Sequence, residues 1–354
     1  MGNFSVCIIA KNEEKCIERC LKSISDFDCE IVVVDTGSTD NTIEIVKKYT
    51  SKIFHFDWIN DFSAARNYSI AQASNDWILV LDCDEWVKDA EPAKFLPMFS
   101  PHPDYLGILK RINLLPVGSY TDDVPRFFNR KYYRYERTIH EQLVPLTPHP
   151  LEGFNLPLTI LHSGYNEGKG VSTEKHMRNL TLLEKELEKD PDNPYFYFQI
   201  GQEHFNQFDY QTALPYYEKV LTYDLSPQLE YYRLSVQSYG ECLIQLKDTE
   251  RALQVLQWEK DFGDISDFHY LMGRIYVLAN QPLNAMPEFI KAISLKNPRT
   301  TGTDSHLSWY YLAAINEDFG NIPAAISFYE NCGDFQPAKA KIATLSATMN
   351  SQPQ

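Results

Sequence analysis

Basic residues are the first shortage in this 354-residue chain: 33 Lys and Arg stand against 48 Asp and Glu, a formal net charge of -15. That deficit argues against a non-specific nucleic-acid binder and against a protein held electrostatically on anionic lipid. Long apolar runs are also missing. The first, residues 6–10, stops at Lys11 and follows no basic segment, so it reads as neither a signal peptide nor a transmembrane helix, and nothing later approaches the length of a span. Cysteine is sparse and unpatterned. Cys7, Cys16, Cys20, Cys29, Cys83, Cys242 and Cys332 are odd in number and form no C-x-x-C pair. They suit a reducing cytoplasm better than a disulfide or structural-zinc framework, which leaves the sequons at Asn3, Asn67 and Asn179 without weight. A Walker loop, a G-x-G-x-x-G turn and an H-E-x-x-H helix are all absent, so an ATPase, a dinucleotide dehydrogenase and a zinc hydrolase lack support.

What is present is ordinary globular material, with 44% apolar, 13% aromatic and 23% charged residues. The length suits about two domains. The first part alternates short apolar runs with helical periodicity, the pattern of β-α-β units and a largely parallel sheet. Strands are expected over residues 4–10, 30–34, 53–58 and 77–81, with helices over 15–24, 42–49 and 63–73 between them. From residue 86 to 165 the pattern loosens into proline-rich loops with strand-like stretches at 106–112, 126–135 and 156–161. Gly164, Gly168 and Gly170 mark a connector. A helix follows, with Met177, Leu180, Leu183 and Leu187 as its apolar stripe.

The remainder repeats. Gly201, Gly240, Gly273 and Ala313 are each followed twelve positions later by Ala213, Ala252, Ala285 and Ala325. The alanines recur every 33 to 40 residues or so, bracketing the roughly 34-residue period of the tetratricopeptide helix pair. A small residue on each helix lets the two approach closely, and stacked pairs bury what a single pair leaves exposed. An unrelated all-α bundle is the alternative, because the second unit lacks the motif's aromatics.

Asp82-Cys83-Asp84 is the centre of the chemical reading. In an extended segment the two carboxylates share one face while Cys83 points into the domain. Paired carboxylates at the mouth of a sheet repel unless a cation sits there, and oxygen ligands of this kind suit Mg²⁺ or Mn²⁺, whose remaining positions go to water and substrate phosphates. Two solvated loop acids are the bland alternative. Asp35, ending Ile31-Val32-Val33-Val34, offers an acceptor for a base N–H or a ribose hydroxyl, or else a cap for the helix after it.

Four segments in order, Ser5-Val6-Cys7-Ile8-Ile9-Ala10-Lys11-Asn12-Glu13, Val34-Asp35-Thr36-Gly37-Ser38-Thr39-Asp40, Asp61-Phe62-Ser63-Ala64-Ala65-Arg66-Asn67 and Leu81-Asp82-Cys83-Asp84-Glu85, resemble family 2 glycosyltransferases. Ile139-His140-Glu141 and Leu161-His162-Ser163-Gly164-Tyr165 resemble a branch of that family. With the tetratricopeptide-like tail, the layout is similar to bacterial S-glycosyltransferases that modify glycocin precursor peptides. The resemblance implies a GT-A fold, a nucleotide-sugar donor and inversion at the anomeric carbon. It places Asp35 on the base, Arg66 on the nucleotide, Asp82 near the ribose and Asp84 on a metal at the pyrophosphate. Arg126 and Arg130 are further candidates for the diphosphate charge, with exposed arginines beside aromatics as the alternative. Glu141 is the expected general base, with Asp122, Asp123 and Glu85 as competitors. His162 is a candidate metal ligand, or else a packed histidine.

The sequence therefore leads to these expectations. An α/β GT-A catalytic domain occupies residues 1–165, a connector and helix 166–192, an all-α tetratricopeptide-like array 193–345 and a tail 346–354. The protein is a cytoplasmic, Mn²⁺- or Mg²⁺-dependent inverting transferase that uses a nucleotide-diphosphate sugar, with UDP as the named carrier. Its acceptor is a peptide or protein side chain held by the repeats, which could instead form a homodimer. Nucleic acid and integral membrane are not expected partners. A glycan-building or lipid-linked transferase, and a non-catalytic scaffold with a degenerate transferase domain, are the alternatives.

Overall fold

The computed structural model describes residues 4–115, 118–163, 173–296 and 298–351, so the Gly164 to Gly170 connector lies outside the described residues. The chain divides into two compact units, residues 1–186 and 187–354.

In the first unit, β1 (Ser5–Ala10), β2 (Glu30–Asp35), β3 (Ile53–His55) and β4 (Trp77–Val80) run parallel. The sheet continues through β5 (Glu85–Ala90), β6 (Leu106–Leu114), β7 (Ser119–Asn129) and a long strand at Gly153–His162. A separate hairpin pairs β8 (Tyr133–Glu136) with β9 (Gln142–Pro145), which makes Gly153–His162 β10. The order across the large sheet is β3-β2-β1-β4-β7-β6-β10-β5. The stretch expected as one strand over 126–135 is thus two, because the chain turns at Arg130 and re-enters as β8. The loop-rich reading of residues 86–90 is also corrected, since they form most of β5. Its opening acid, Glu85, hides the strand pattern but is fully buried.

Period-two alternation gives the sheet two apolar faces. Val6, Ile8, Ala10 and Leu79 face helices α1 (Ile17–Ser23), α2 (Thr42–Val46) and the short helix Phe95–Phe99 through Ile17, Leu21, Val46, Phe95 and Phe99. Cys7, Val32, Ile78 and Val80 face the other way, onto α3 (Phe62–Gln72) and the β8–β9 hairpin through Ile70, Tyr133, Tyr135 and Leu143. With Phe95–Phe99 counted as α4, α5 spans Thr173–Lys189. Its stripe differs from expectation: Leu180 and Leu183 are buried beside His176 and Glu186, while Met177 is exposed. All seven cysteines are unpaired thiols. Burial pushes the Cys7 thiol up to about 12, which removes it as a nucleophile.

The second unit is a series of helix pairs. They are α6 (Pro194–Asn206) with α7 (Tyr210–Leu221), α8 (Glu230–Gln245) with α9 (Thr249–Gln254), α11 (Ser266–Leu278) with α12 (Pro282–Ser294), and α13 (His306–Asp318) with α14 (Ile322–Glu330). The second pair is irregular, because α9 passes through a 3-10 turn into α10 (Glu259–Phe262). A last helix, α15, covers Gln336–Ser351. No described helix is long and apolar enough to cross a membrane.

Each pair turns through one left-handed residue, Phe208, Lys247, Asn280 or Gly320, with φ of 61, 59, 55 and 75°. The next amide then reaches back to a helix carbonyl: Asp209 to His204, Asp248 to Leu243, Gln281 to Tyr276 and Asn321 to Asn316, at 2.8 to 3.0 Å. This closure satisfies carbonyls that the helix end leaves orphaned. Asp209 and Asp248 also cap the following helix, accepting from Thr212 and Arg251 N–H at 3.2 and 3.1 Å.

The four repeat alanines are fully buried. A methyl group built on Gly273 would lie 2.7 Å from the Phe289 ring. Gly273→Ala should therefore destabilise the chain by about 1–2 kcal/mol, because overpacking against a buried ring outweighs the roughly 1 kcal/mol gained in helix propensity. A lower urea midpoint with unchanged slope is the expected result.

Candidate active site

The acidic motif sits where the chain leaves β4, at the carboxyl edge of the parallel strands. It is a turn, closed by Glu85 N–H to the Asp82 carbonyl at 3.0 Å, and not the extended segment expected from the sequence. Cys83 does face inward, donating to the Ile9 carbonyl at 3.3 Å. Turning about this anchor sends the two carboxylates to different partners.

Asp82 is held by two arginines. Its Oδ1 accepts from Arg66 Nη2 at 2.6 Å and its Oδ2 from Arg126 Nη2 at 2.8 Å. Burial opposes its ionisation, but Arg126 and Arg66 together hold the carboxyl far below the usual carboxylate range. Arg66 comes from α3, whose N-terminus Asp61 caps by accepting from Ala64 N–H at 2.9 Å. It lies on that helix's buried side with Ala65, Ser69 and Ile70. Its Nε donates to Glu141 Oε1 at 2.5 Å.

Glu141 stands at the foot of the β8–β9 loop, where Arg137 and His140 adopt φ of 80 and 48°, unusual for residues with side chains. Phe62 N–H and Ser63 Oγ pin this loop to the start of α3 through the Thr138 and Arg137 carbonyls, at 2.9 and 2.5 Å. Strain of this kind persists where the surroundings over-determine it.

Glu85 takes the Asp82 N–H at 3.0 Å on Oε2, while Oε1 lies 3.3 Å from Arg111 and 3.6 Å from Arg126. Arg111 grips Asp122 through Nε and Nη2 at 3.0 and 2.7 Å. Glu85 and Asp122 are paired with Arg111, as Glu141 is with Arg66, and Asp123 is exposed at the register position opposite Lys110. Of the expected base candidates, Glu141 is the carboxylate joined to the Asp82 cluster through α3.

Asp84 Oδ2 lies 3.3 Å from His162 Nε2. Burial opposes ionisation of Asp84, and the His162 contact outweighs it, holding the carboxyl below its ordinary range. His162 Nδ1 is 2.7 Å from Asn113 Oδ1. Among the described residues no group of three or more His, Cys, Asp or Glu is disposed to hold a metal, and Asp84 and His162 stand as a pair.

Asp35 ends β2 and accepts from Ser38 N–H at 2.9 Å, with His55 Nδ1 at 3.6 Å. It closes the Gly37 turn, where φ is 104°, and does not cap the helix. Asp40 performs that task, taking the Thr42 N–H at 2.9 Å.

Arg130 leaves the site. It donates to the Ile70 and Ala73 carbonyls at 3.1 and 2.7 Å and so closes the end of α3. Sequence reasoning missed Arg111, Asn113 and Tyr135. The first two alternate with apolar residues in β6, a period-two signal that could have revealed them. Tyr135 has a buried hydroxyl that, like Arg66 Nη1, finds no hydrogen-bond partner among the described residues.

Residues 5–150 match the sequence profile of glycosyl transferase family 2, and residues 194–227 that of a tetratricopeptide repeat. A TPR repeat-containing protein of Synechococcus elongatus is 32% identical over 210 residues, covering 57% of this chain and 52% of that protein. The SPbeta prophage-derived glycosyltransferase SunS of Bacillus subtilis is 32% identical over 211 residues, covering 55% and 48%. The chain spans about half the length of these curated relatives. Among solved structures, a thermophilic TPR protein of Thermus thermophilus aligns with 49% of this chain and 92% of its own at 17% identity, with a TM-score of 0.38.

Proposed function

We propose that this chain, which carries a family 2 glycosyltransferase domain followed by a tetratricopeptide repeat, transfers a sugar from a nucleotide diphosphate to a peptide or protein side chain with inversion. The observation that carries the reading is the linkage of Asp82, Glu141, Arg66 and Arg126, with the Asp84–His162 pair beside the same turn, at the carboxyl edge of the parallel strands, where Asp35 also ends β2. A UDP-sugar is the donor of choice. Asp35, partly exposed at the end of β2, would accept a base N–H, and Asp82 would face the ribose. Arg66 and Arg126 hold positive charge beside the diphosphate while Asp82, Glu85 and Glu141 keep them oriented.

Asp84 and His162 would hold a divalent cation such as Mn²⁺ or Mg²⁺ through one oxygen and one nitrogen. When bound, such an ion would supply charge neutralisation for the leaving diphosphate. Glu141 receives the acceptor's proton on the opposite side, as an inverting displacement on a hydroxyl requires. A cysteine acceptor lessens that need, since a thiol ionises more readily. The repeat array presents an extended acceptor, and the unpaired thiols fit a reducing cytoplasm.

Calorimetry across nucleotide sugars, with and without Mn²⁺, followed by intact-mass analysis of candidate peptides, tests the reading. One donor should bind only with the cation and add a single sugar mass. Absence of donor binding and hydrolysis with Mn²⁺ would reject it in favour of a scaffold.

A further inference from the structure

Asn67, next to Arg66 on α3, meets the β8–β9 hairpin through both ends of its side-chain amide. Its Nδ2 donates to the Tyr135 carbonyl at 2.8 Å, and its Oδ1 accepts the Tyr135 N–H at 2.9 Å. An antiparallel pair alternates between residues that exchange both backbone bonds and residues that exchange none. Tyr132 accepts the Leu146 N–H at 2.7 Å, so Tyr135, three positions on and in register with Leu143, turns its N–H and C=O away from β9. Asn67 answers both groups as a neighbouring strand would. With an obligatory donor and an obligatory acceptor opposite it, the amide has one orientation. The grip continues along the loop, where Phe62 N–H and Ser63 Oγ hold the Thr138 and Arg137 carbonyls and Arg66 Nε holds Glu141. Asn67 also sets the Tyr135 ring, whose centroid lies 5.6 Å from the Arg66 guanidinium carbon, within cation–π range.

We propose that Asn67 is a positioning residue for sugar transfer: its amide clips β8 to α3 and so holds Glu141 and the Tyr135 ring in register with Arg66. The part played by Glu141 rests on the general-base reading given above. The Arg66 bond fixes one point on the Glu141 side chain, whereas the clip fixes the strand from which the loop departs. Two residues after Tyr135 the backbone enters the left-handed region at Arg137, with φ of 80°, so a shift of β8 is carried directly into the loop. A carboxylate that must meet one acceptor atom is sensitive to such a shift, since a misplacement of about 1 Å can cost about 100-fold in rate. Donor-binding residues Asp35, Asp82 and Arg126 lie on the large sheet or its edge, outside the hairpin, so the effect should fall on turnover and spare donor affinity.

The full chain labelled with ¹⁵N-tyrosine and ¹⁵N-arginine provides two readouts that need no turnover. Asn67→Leu, which is close in volume and removes both bonds, should speed hydrogen exchange at the Tyr135 amide by about 10-fold and shift the Arg66 Nε–H resonance. Transfer to a hydroxyl peptide should lose about 10- to 100-fold in kcat, with donor affinity unchanged. In a Glu141→Gln background the same substitution should cost less than about twofold further, because a residue that acts through another adds nothing once that other is gone. Should Asn67→Leu fail to fold, Asn67→Asp keeps the shape and the acceptor for the Tyr135 N–H but sets an oxygen against the Tyr135 carbonyl, and it should show the same loss in kcat. An unchanged Arg66 resonance and kcat in these variants, or a full further loss in the Glu141→Gln background, overturns the positioning role. A shifted Arg66 resonance in Asn67→Leu with undiminished transfer by Glu141→Gln supports the clip and overturns the general-base reading.

Discussion

On the proposed function, Asp84→Ala should lower glycosyl transfer by about 10³-fold or more while leaving the chain folded, because it removes a carboxylate that faces His162 and would help hold the cation. The fold has little stake in that side chain. The turn is closed by the Glu85 amide, and Cys83 anchors it to β1. Far-UV circular dichroism and the thermal midpoint should stay near wild type, and wild-type enzyme in excess chelator should show the same kinetic defect. Full activity in chelator would remove the metal from the mechanism. Loss of helical signal in the variant would make Asp84 a structural residue.

Glu141→Gln is the second large effect, and the geometry makes it a clean substitution. The glutamine carbonyl can still accept from Arg66 Nε, and Asp82 continues to hold Arg66 through Nη2, so the cluster keeps its shape. What disappears is the proton acceptor. Turnover on a hydroxyl acceptor should fall by about 10² to 10⁴, the usual cost of losing a general base, whereas donor affinity should hardly change. A thiol acceptor should suffer far less, so the ratio of the two losses reports the acceptor atom. An undiminished rate on a hydroxyl peptide would take the role from Glu141. Asp123, the exposed competitor, would then be next in line.

The parallel strands were legible because residues buried on both faces of a sheet read as continuous apolar runs. Ile31, Val32, Val33 and Val34 announce β2 without help from neighbours. β5 was not legible, because Glu85, Lys88 and Asp89 break any pattern. Its pairing with β10 is a long-range choice that no local propensity records. The motif acids were found as residues, but their geometry was misread. Period-two alternation assumes an extended chain, and the turn at Cys83 and Asp84 defeats that assumption. Arg66 was assigned to the nucleotide on resemblance alone. Its grip on Asp82 and Glu141 depends on α3 and the β8–β9 loop meeting in space. The repeat was legible through its small residues, since close helix approach excludes larger side chains wherever it recurs.

Arg66 and Glu141 are separated by 75 positions in the chain, yet they share one buried hydrogen bond. Three guanidinium groups, of Arg66, Arg111 and Arg126, are interleaved with the carboxylates of Asp82, Glu85, Asp122 and Glu141. Removing one of the arginines leaves carboxylates without their counterpart in a largely buried place, at a cost of about 3–5 kcal/mol, a large part of a domain's stability. Descent through single changes is therefore closed to this cluster: a lineage that loses one arginine passes through a poorly folded ancestor unless its carboxylate changes in the same step. These seven positions should be inherited as a block, while the loops that deliver them drift freely in length.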